Sequence, residues 1–247
     1  MRKFSSLFWG VLLTLATSAC QHDVLSPPVP RGQARPATSP QDTQVVPVAS
    51  AYYLDIMSFL TELTEPYFNS TVCHWPAYPV PIRVGMAVNG EIDLAECLAE
   101  AVDRWNFGET SPWFIFDPAA DWGIRLIHFP DLEMHPPARA QITRLDDQGR
   151  PLRIHIILGN NYVTQQQRPY AVRALVHELG HALFLWGHSQ NPAHILWGGG
   201  PPLVDFPSLE ERKAAHLWRD LPEGLNLTLL PTASESSTAS WPPGAHP

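Results

Sequence analysis

His177-Glu178-Leu179-Gly180-His181 sets two imidazoles four residues apart, with a carboxylate directly after the first. On a helix, residues i and i+4 lie about 40° apart and one turn along, so both rings leave one face and can hold a single ion. Glu178 is then placed to act as general base on a water beside that ion. A Zn²⁺ with three protein ligands keeps its fourth position open for water and lowers the water's pKa toward neutrality. Random placement of this chain's histidines and glutamates gives roughly 0.02 expected occurrences of the pattern. The context sharpens it: Pro169 opens the segment, and Ala171, Ala174, Leu175, Val176, Leu179, Ala182 and Leu183 are apolar. A metal-free, histidine-rich helix face is the plain alternative, and it would set unpaired polar groups against that apolar surface at a cost.

Two ligands leave a site incomplete, and the downstream segment offers a third. In Ala182-Leu183-Phe184-Leu185-Trp186-Gly187-His188-Ser189, Gly187 can end the helix in a left-handed conformation and turn His188 back toward the ion. His194 is a second candidate. Glu210 or Glu211 would serve in a gluzincin-like arrangement, but both read better as first-turn charges on a later helix. His128, Asp131, His135 and His155 do not match a recognisable ligand set, and hydrogen-bonded or solvated side chains account for them.

His-Glu-Leu-Gly-His-Ala-Leu followed by Gly-His-Ser resembles the signature of the matrixin-type metzincin metalloproteases, His-Glu-x-x-His-x-x-Gly-x-x-His. The resemblance covers about residues 81–221 and is strongest over 174–196. There are three departures. His188 stands one residue later than the pattern, Phe184 replaces the turn glycine, and Leu196 replaces the methionine of the Met-turn. The first two read together as a helix that runs on and turns one residue late, at Gly187. Leu for Met is a volume-conserving swap. The resemblance implies a zincin-like α/β (α+β) fold, a mixed twisted sheet with an active-site helix and a C-terminal helix. It implies one catalytic Zn²⁺ on His177, His181 and His188, with Glu178 as base, and a peptide or protein substrate. In that fold class the strand before the helix-leading one lies at the sheet edge. Arg139, Ala140, Gln141, Ile142 and Thr143 are therefore the expected strand for an extended peptide, with small side chains where the peptide approaches. A structural Ca²⁺ or second Zn²⁺ belongs to such proteins too, but the sequence shows no ligand set for one. The alternative function is a non-catalytic metal-binding envelope lipoprotein. A pure metal binder needs only the histidines, so Glu178 favours catalysis.

The elements that must position these residues can be read from periodicity. Leu94, Cys97, Leu98, Ala101, Val102 and Trp105 recur at helical spacing within 93–106. Short strands are expected at 81–86, 113–116 and 124–129. Segments 139–145 and 152–158 flank Asp146-Asp147-Gln148-Gly149, which is hairpin chemistry. Ser208 can cap a helix over 208–218 that Pro222 stops, and 51–63 is a further helix candidate.

Composition limits the setting. Of 247 residues, 26 are Pro, and 16 Lys+Arg against 24 Asp+Glu give a net charge of −8, which excludes a generic nucleic-acid binder. Residues 1–19 read as a signal segment: Arg2 and Lys3, then the apolar run 7–16, then Thr17-Ser18-Ala19 before Cys20. That ending resembles a bacterial lipobox, with Thr17 where Leu is typical, and implies lipidation of Cys20. The expected organisation is a tether at 20–50, a catalytic domain at 51–230 and a disordered tail at 231–247. The protein is expected in a bacterial cell envelope, lipid-anchored to the membrane or secreted to the periplasm, as a monomer. With Cys20 lipidated, Cys73 and Cys97 form an even pair that an exported protein can oxidise, closing a loop worth about 3 kcal/mol. Two buried free thiols are the alternative.

Overall fold

The computed structural model describes residues 56, 59–63, 71–84, 92–129, 133–134, 136–162 and 164–227. The signal segment, Cys20, the tether, the tail, Asp131 and His135 lie outside them. Within them, five strands form one mixed sheet: β1 Val80–Val84, β2 Phe114–Phe116, β3 Gly123–His128, β4 Ala138–Leu145 and β5 Pro151–Leu158. Their order across the sheet is β2-β1-β3-β5-β4, with every pairing parallel except the antiparallel β4–β5 hairpin. Three α-helices of described bounds accompany them, α1 Leu94–Asn106, α2 Arg168–Ala182 and α3 Leu209–Asp220, and residues 59–63 are helical as well. This is the mixed α/β class expected, with a central motif helix and a C-terminal helix, and each strand boundary lies within two residues of its expected position wherever the backbone is described.

Local chemistry explains the elements. Asp93 caps α1 by accepting from Ala95 N at 2.8 Å and Glu96 N at 3.2 Å, a device worth about 1 kcal/mol. All six apolar residues of its periodic stripe are buried. The hairpin turn is fastened by Asp146, whose Oδ1 accepts from Gln148 N and Arg150 N, both at 2.8 Å, while Gly149 takes φ 82°. Pro169 sits in the first turn of α2, where its missing N–H is no loss.

The two faces of the sheet differ sharply. Ile82, Ile124 and Ile154, then Leu126, Ile156 and Ala140, are cross-strand neighbours on one face and join the buried core with Leu98, Ala101, Leu175 and Leu179 of the helices. The opposite face carries Arg83, Arg125, His155 and Gln141 in one cross-strand row. Strand β4, holding residues 139–143, is an edge strand, and the hairpin delivers the chain directly to α2.

One expectation about cysteine is overturned. Cys73 and Cys97 are free thiols. Cys97 is buried on the inner stripe of α1, where Arg168 and Glu100 are its charged neighbours. Cys73 belongs to the segment fastened to α3 by Trp218 Nε1 donating to its carbonyl at 2.9 Å. The packing of α1 against the sheet holds the first in a different environment from the second. Burial pushes the Cys73 thiol up to about 12, which keeps it protonated and poorly nucleophilic.

Candidate metal centre

From Ala174 to Ala182 every residue of α2 is buried. A helix apolar all round belongs inside a protein, so the polar residues of the motif, His177, Glu178 and His181, are carried into the interior by their neighbours. The helix is held by Trp105 of α1, whose Nε1 donates to Val176 O at 2.8 Å, and by Trp75, whose Nε1 donates to Ala182 O at 2.8 Å. Gly180 lets Leu196 approach: a Cβ there would lie 2.8 Å from Leu196 Cδ2. Leu196, at the Met-turn position, is thus a buried floor residue packed on the motif helix.

The chain turns earlier than the sequence indicates. α2 ends at Ala182, and Phe184 takes the left-handed conformation at φ 70°, the position where the resembling pattern has glycine. Left-handed backbone costs a non-glycine residue about 1–2 kcal/mol. Burial offsets it: the Phe184 ring is fully buried, 5.7 Å from Trp75 and 6.4 Å from Trp218 between centroids. Gly187 is needed for a different reason from the one expected. Its N–H donates to Leu63 O, and a Cβ would lie 2.5 Å from Glu62 O and 2.6 Å from Leu63 C. The extra residue therefore sits after the turn, in a segment pressed against the helical backbone at 59–63.

This path brings His177, His181 and His188 together, one ligand nitrogen from each lying within 4.8 Å of the others. The ring centroids are 4.6 Å apart for His177–His181, 5.2 Å for His177–His188 and 5.0 Å for His181–His188. His177 Nδ1 donates to Ile195 O and His181 Nδ1 to Leu185 O, both at 2.7 Å. These bonds put the proton on Nδ1 and the lone pair on Nε2, the tautomer a metal ligand requires. Two imidazoles with anchored Nδ1 atoms, His177 and His181, and His188 beside them thus fit a divalent metal ion. The Trp186 ring lies parallel to His181, 5.9 Å away, and adds a wall.

Glu178 is buried at 4% exposure, and burial pushes its carboxyl up to about 8, opposed by a hydrogen bond from Ala140 N of the edge strand. Its Oε2 is buried without a hydrogen-bond partner. A cation on the three histidines would favour the carboxylate. Ala138 and Ala140 face inward, so their small size admits α2 and Glu178 rather than a peptide.

His194 lies outside the cluster. Its Nδ1 is 2.7 Å from Ser189 Oγ and its Nε2 3.3 Å from Asn191 Nδ2, so it serves the loop. His128 Nε2 bonds to Gly159 O, and His155 stands on the opposite sheet face, so these two form no metal cluster among the described residues.

Glu211 stands in the first turn of α3, as expected, and is also fully buried. Its Oε1 accepts from Leu196 N at 2.7 Å, and its Oε2 from Ile195 N at 3.2 Å and Ser208 N at 2.7 Å. It therefore caps α3 and also fixes the turn whose Ile195 carbonyl holds His177. Ser208 with Glu three residues later was legible as a capping box; the second duty had no signal in the sequence.

No protein-family model matches the chain, and a search of curated proteins returns no match. Fold and site define a mixed α/β protein with a three-histidine cluster, able to hold a metal ion, at the end of its central helix.

Proposed function

We propose that this protein is a zinc-dependent peptidase of the metzincin type. The observation that carries the reading is the convergence of His177 and His181 of α2 and His188 of the following loop beside the buried, partly unpartnered Glu178. Zn²⁺ held there would supply Lewis acidity toward a carbonyl and a water of lowered pKa. Glu178 would take a proton from that water and return it to the leaving amine. Ala140 N–H holds the carboxylate, and β4 is the edge strand beside which an extended peptide would lie. Residues 1–20 support an exported protein carried to a bacterial envelope by lipid on Cys20. No helix among the described residues is long and apolar enough to cross a membrane.

The test is metal analysis paired with cleavage of a peptide library. Wild type should retain one Zn²⁺ per chain and lose it with chelator. Glu178→Gln should keep the metal and lose 10²-fold or more in hydrolysis, roughly the contribution of a general base. His188→Ala should release the metal. A folded, zinc-loaded wild type that cleaves nothing, or that cleaves no faster than Glu178→Gln, would mark a metal binder without turnover.

A further inference from the structure

The five strands contain five arginines, Arg83, Arg125, Arg139, Arg144 and Arg153, and not one carboxylate. Every other described arginine has an acidic partner within 4.0 Å: Arg104, Arg150, Arg168, Arg173, Arg212 and Arg219. In a chain of net charge −8, the unpaired cations are gathered in one place. The strand register makes this sharper. Arg83 is the direct cross-strand partner of Arg125, and Arg153 that of Arg144. Like charges directly opposite each other destabilise a sheet. Between the two pairs stands His155, next to Arg125 across β3–β5 and two residues from Arg153 along β5. Arg125 Nε, Arg139 Nε and His155 Nε2 are buried and have no hydrogen-bond partner. Burial and the two neighbouring guanidinium groups also hold the His155 imidazole below its usual range. All of this lies on the face opposite α2, so the array is separate from the histidine cluster.

Arg153 donates one N–H to Asp121 O, but a sheet that sets guanidinium groups against one another and leaves Arg125 Nε and Arg139 Nε without an acceptor is shaped for an external anion. Strands are about 4.8 Å apart, so the array reaches about 14 Å across β1, β3, β5 and β4. One small anion cannot span that distance; a linear polymer can. Apart from His155, the strand residues that alternate with the arginines on this face, among them Pro81, Ile115, Ile127, Gln141 and Ile157, include no aromatic ring. The surface therefore lacks the stacking platforms that bases require. What it offers is charge in planar forks, which match phosphate oxygens two at a time.

We infer that this face of the sheet binds a linear phosphate polymer, its phosphate groups lying between the Arg83–Arg125 and Arg144–Arg153 pairs.

Long-chain inorganic polyphosphate is the probe, titrated into the full chain at several salt concentrations. Wild type should bind, with affinity falling steeply as salt rises. Arg125→Gln and Arg153→Gln should each lower affinity about tenfold and reduce the salt slope by about 1. Arg83→Gln, at an exposed position, should do the same without disturbing the core. In the absence of polyphosphate Arg83→Gln and Arg125→Gln should melt no lower than wild type, because each relieves a like-charge pair; Arg153→Gln also gives up the bond to Asp121 O, so the first two variants separate lost binding from lost folding. Arg219→Gln, on α3, should change nothing. Removing zinc should leave binding intact, which keeps this result independent of the peptidase reading. Failure of the wild type to bind, or equal binding by the arginine variants, would overturn the inference. Poly-glutamate binding as tightly with the same arginine dependence would assign the face to an acidic peptide instead, and overturn it as well.

Discussion

Glu211→Gln keeps the shape of a buried side chain while removing its charge and half of its acceptor capacity. In the native protein the two carboxylate oxygens accept from Leu196 N, Ile195 N and Ser208 N at 2.7, 3.2 and 2.7 Å, and the residue is fully buried. An amide has one acceptor oxygen, and its NH₂ would face N–H donors on the other side. At least one backbone N–H is then left buried without an acceptor, a cost of about 1–3 kcal/mol, and the surviving bonds lose charge assistance. The sum is about 3–5 kcal/mol, which in a domain of this size lowers the melting temperature by roughly 10 °C or more. The loss should also reach the metal, because the loosened turn carries the Ile195 carbonyl that orients His177. A 10–100-fold weaker zinc affinity is expected, as for other supporting partners of metal-bound histidines. Calorimetric unfolding with and without zinc, together with competition against a chelator of known affinity, measures both effects. Glu210→Gln, at the exposed neighbouring position, serves as control and should stay within about 0.5 kcal/mol of wild type. A Glu211→Gln protein as stable as that control would refute the reasoning. Lost stability with zinc affinity unchanged would show that the turn does not orient the ring.

Three further outcomes are expected. Phe184→Gly relieves a left-handed residue by about 1 kcal/mol but forfeits a buried aromatic worth about 3–5 kcal/mol, so chemical unfolding should show a net loss of about 2–4 kcal/mol; a variant at least as stable as wild type would mean that the backbone strain dominates. Gly187→Ala forces a Cβ against the Glu62 and Leu63 backbone and should cost about 1–3 kcal/mol and weaken zinc retention through its neighbour His188, both read from melts with and without metal. Ala140→Pro removes the N–H that Glu178 accepts, so peptide cleavage should fall far more than zinc binding; an equal fall in both, measured on the same preparation, would refute a positioning role for that N–H.

The parts of this protein that could be read from the sequence are those set by local spacing. The i, i+4 histidines of α2 were legible because helical geometry alone puts them on one face. The stripe of α1, the Asp146–Gly149 turn and the Ser208 cap were legible because each is closed within a few residues. The parallel pairings were not legible: α1 and β2 lie between β1 and β3, while β3 and β5 run parallel with only the hairpin strand β4 between them. Distant packing decided the rest. Glycine is the usual left-handed residue, so Gly187 looked like the turn; the cavity between Trp75 and Trp218 makes Phe184 the residue that turns, and the backbone at 59–63 takes Gly187 for close approach. An even pair of cysteines suggests a bridge by number, yet the burial of Cys97 in α1 and the fastening of Cys73 to α3 leave two thiols. Glu211 looked like a helix-end charge because its other partners lie 15 and 16 residues earlier in the chain. His188 became the third member of the cluster, and His194 a loop fastener, only through the turn at Phe184 and the bonds from Ser189 and Asn191. Spacing along a chain specifies which groups can share a face of one element; which groups meet across elements depends on what volume is left to fill, and that is settled when the core packs.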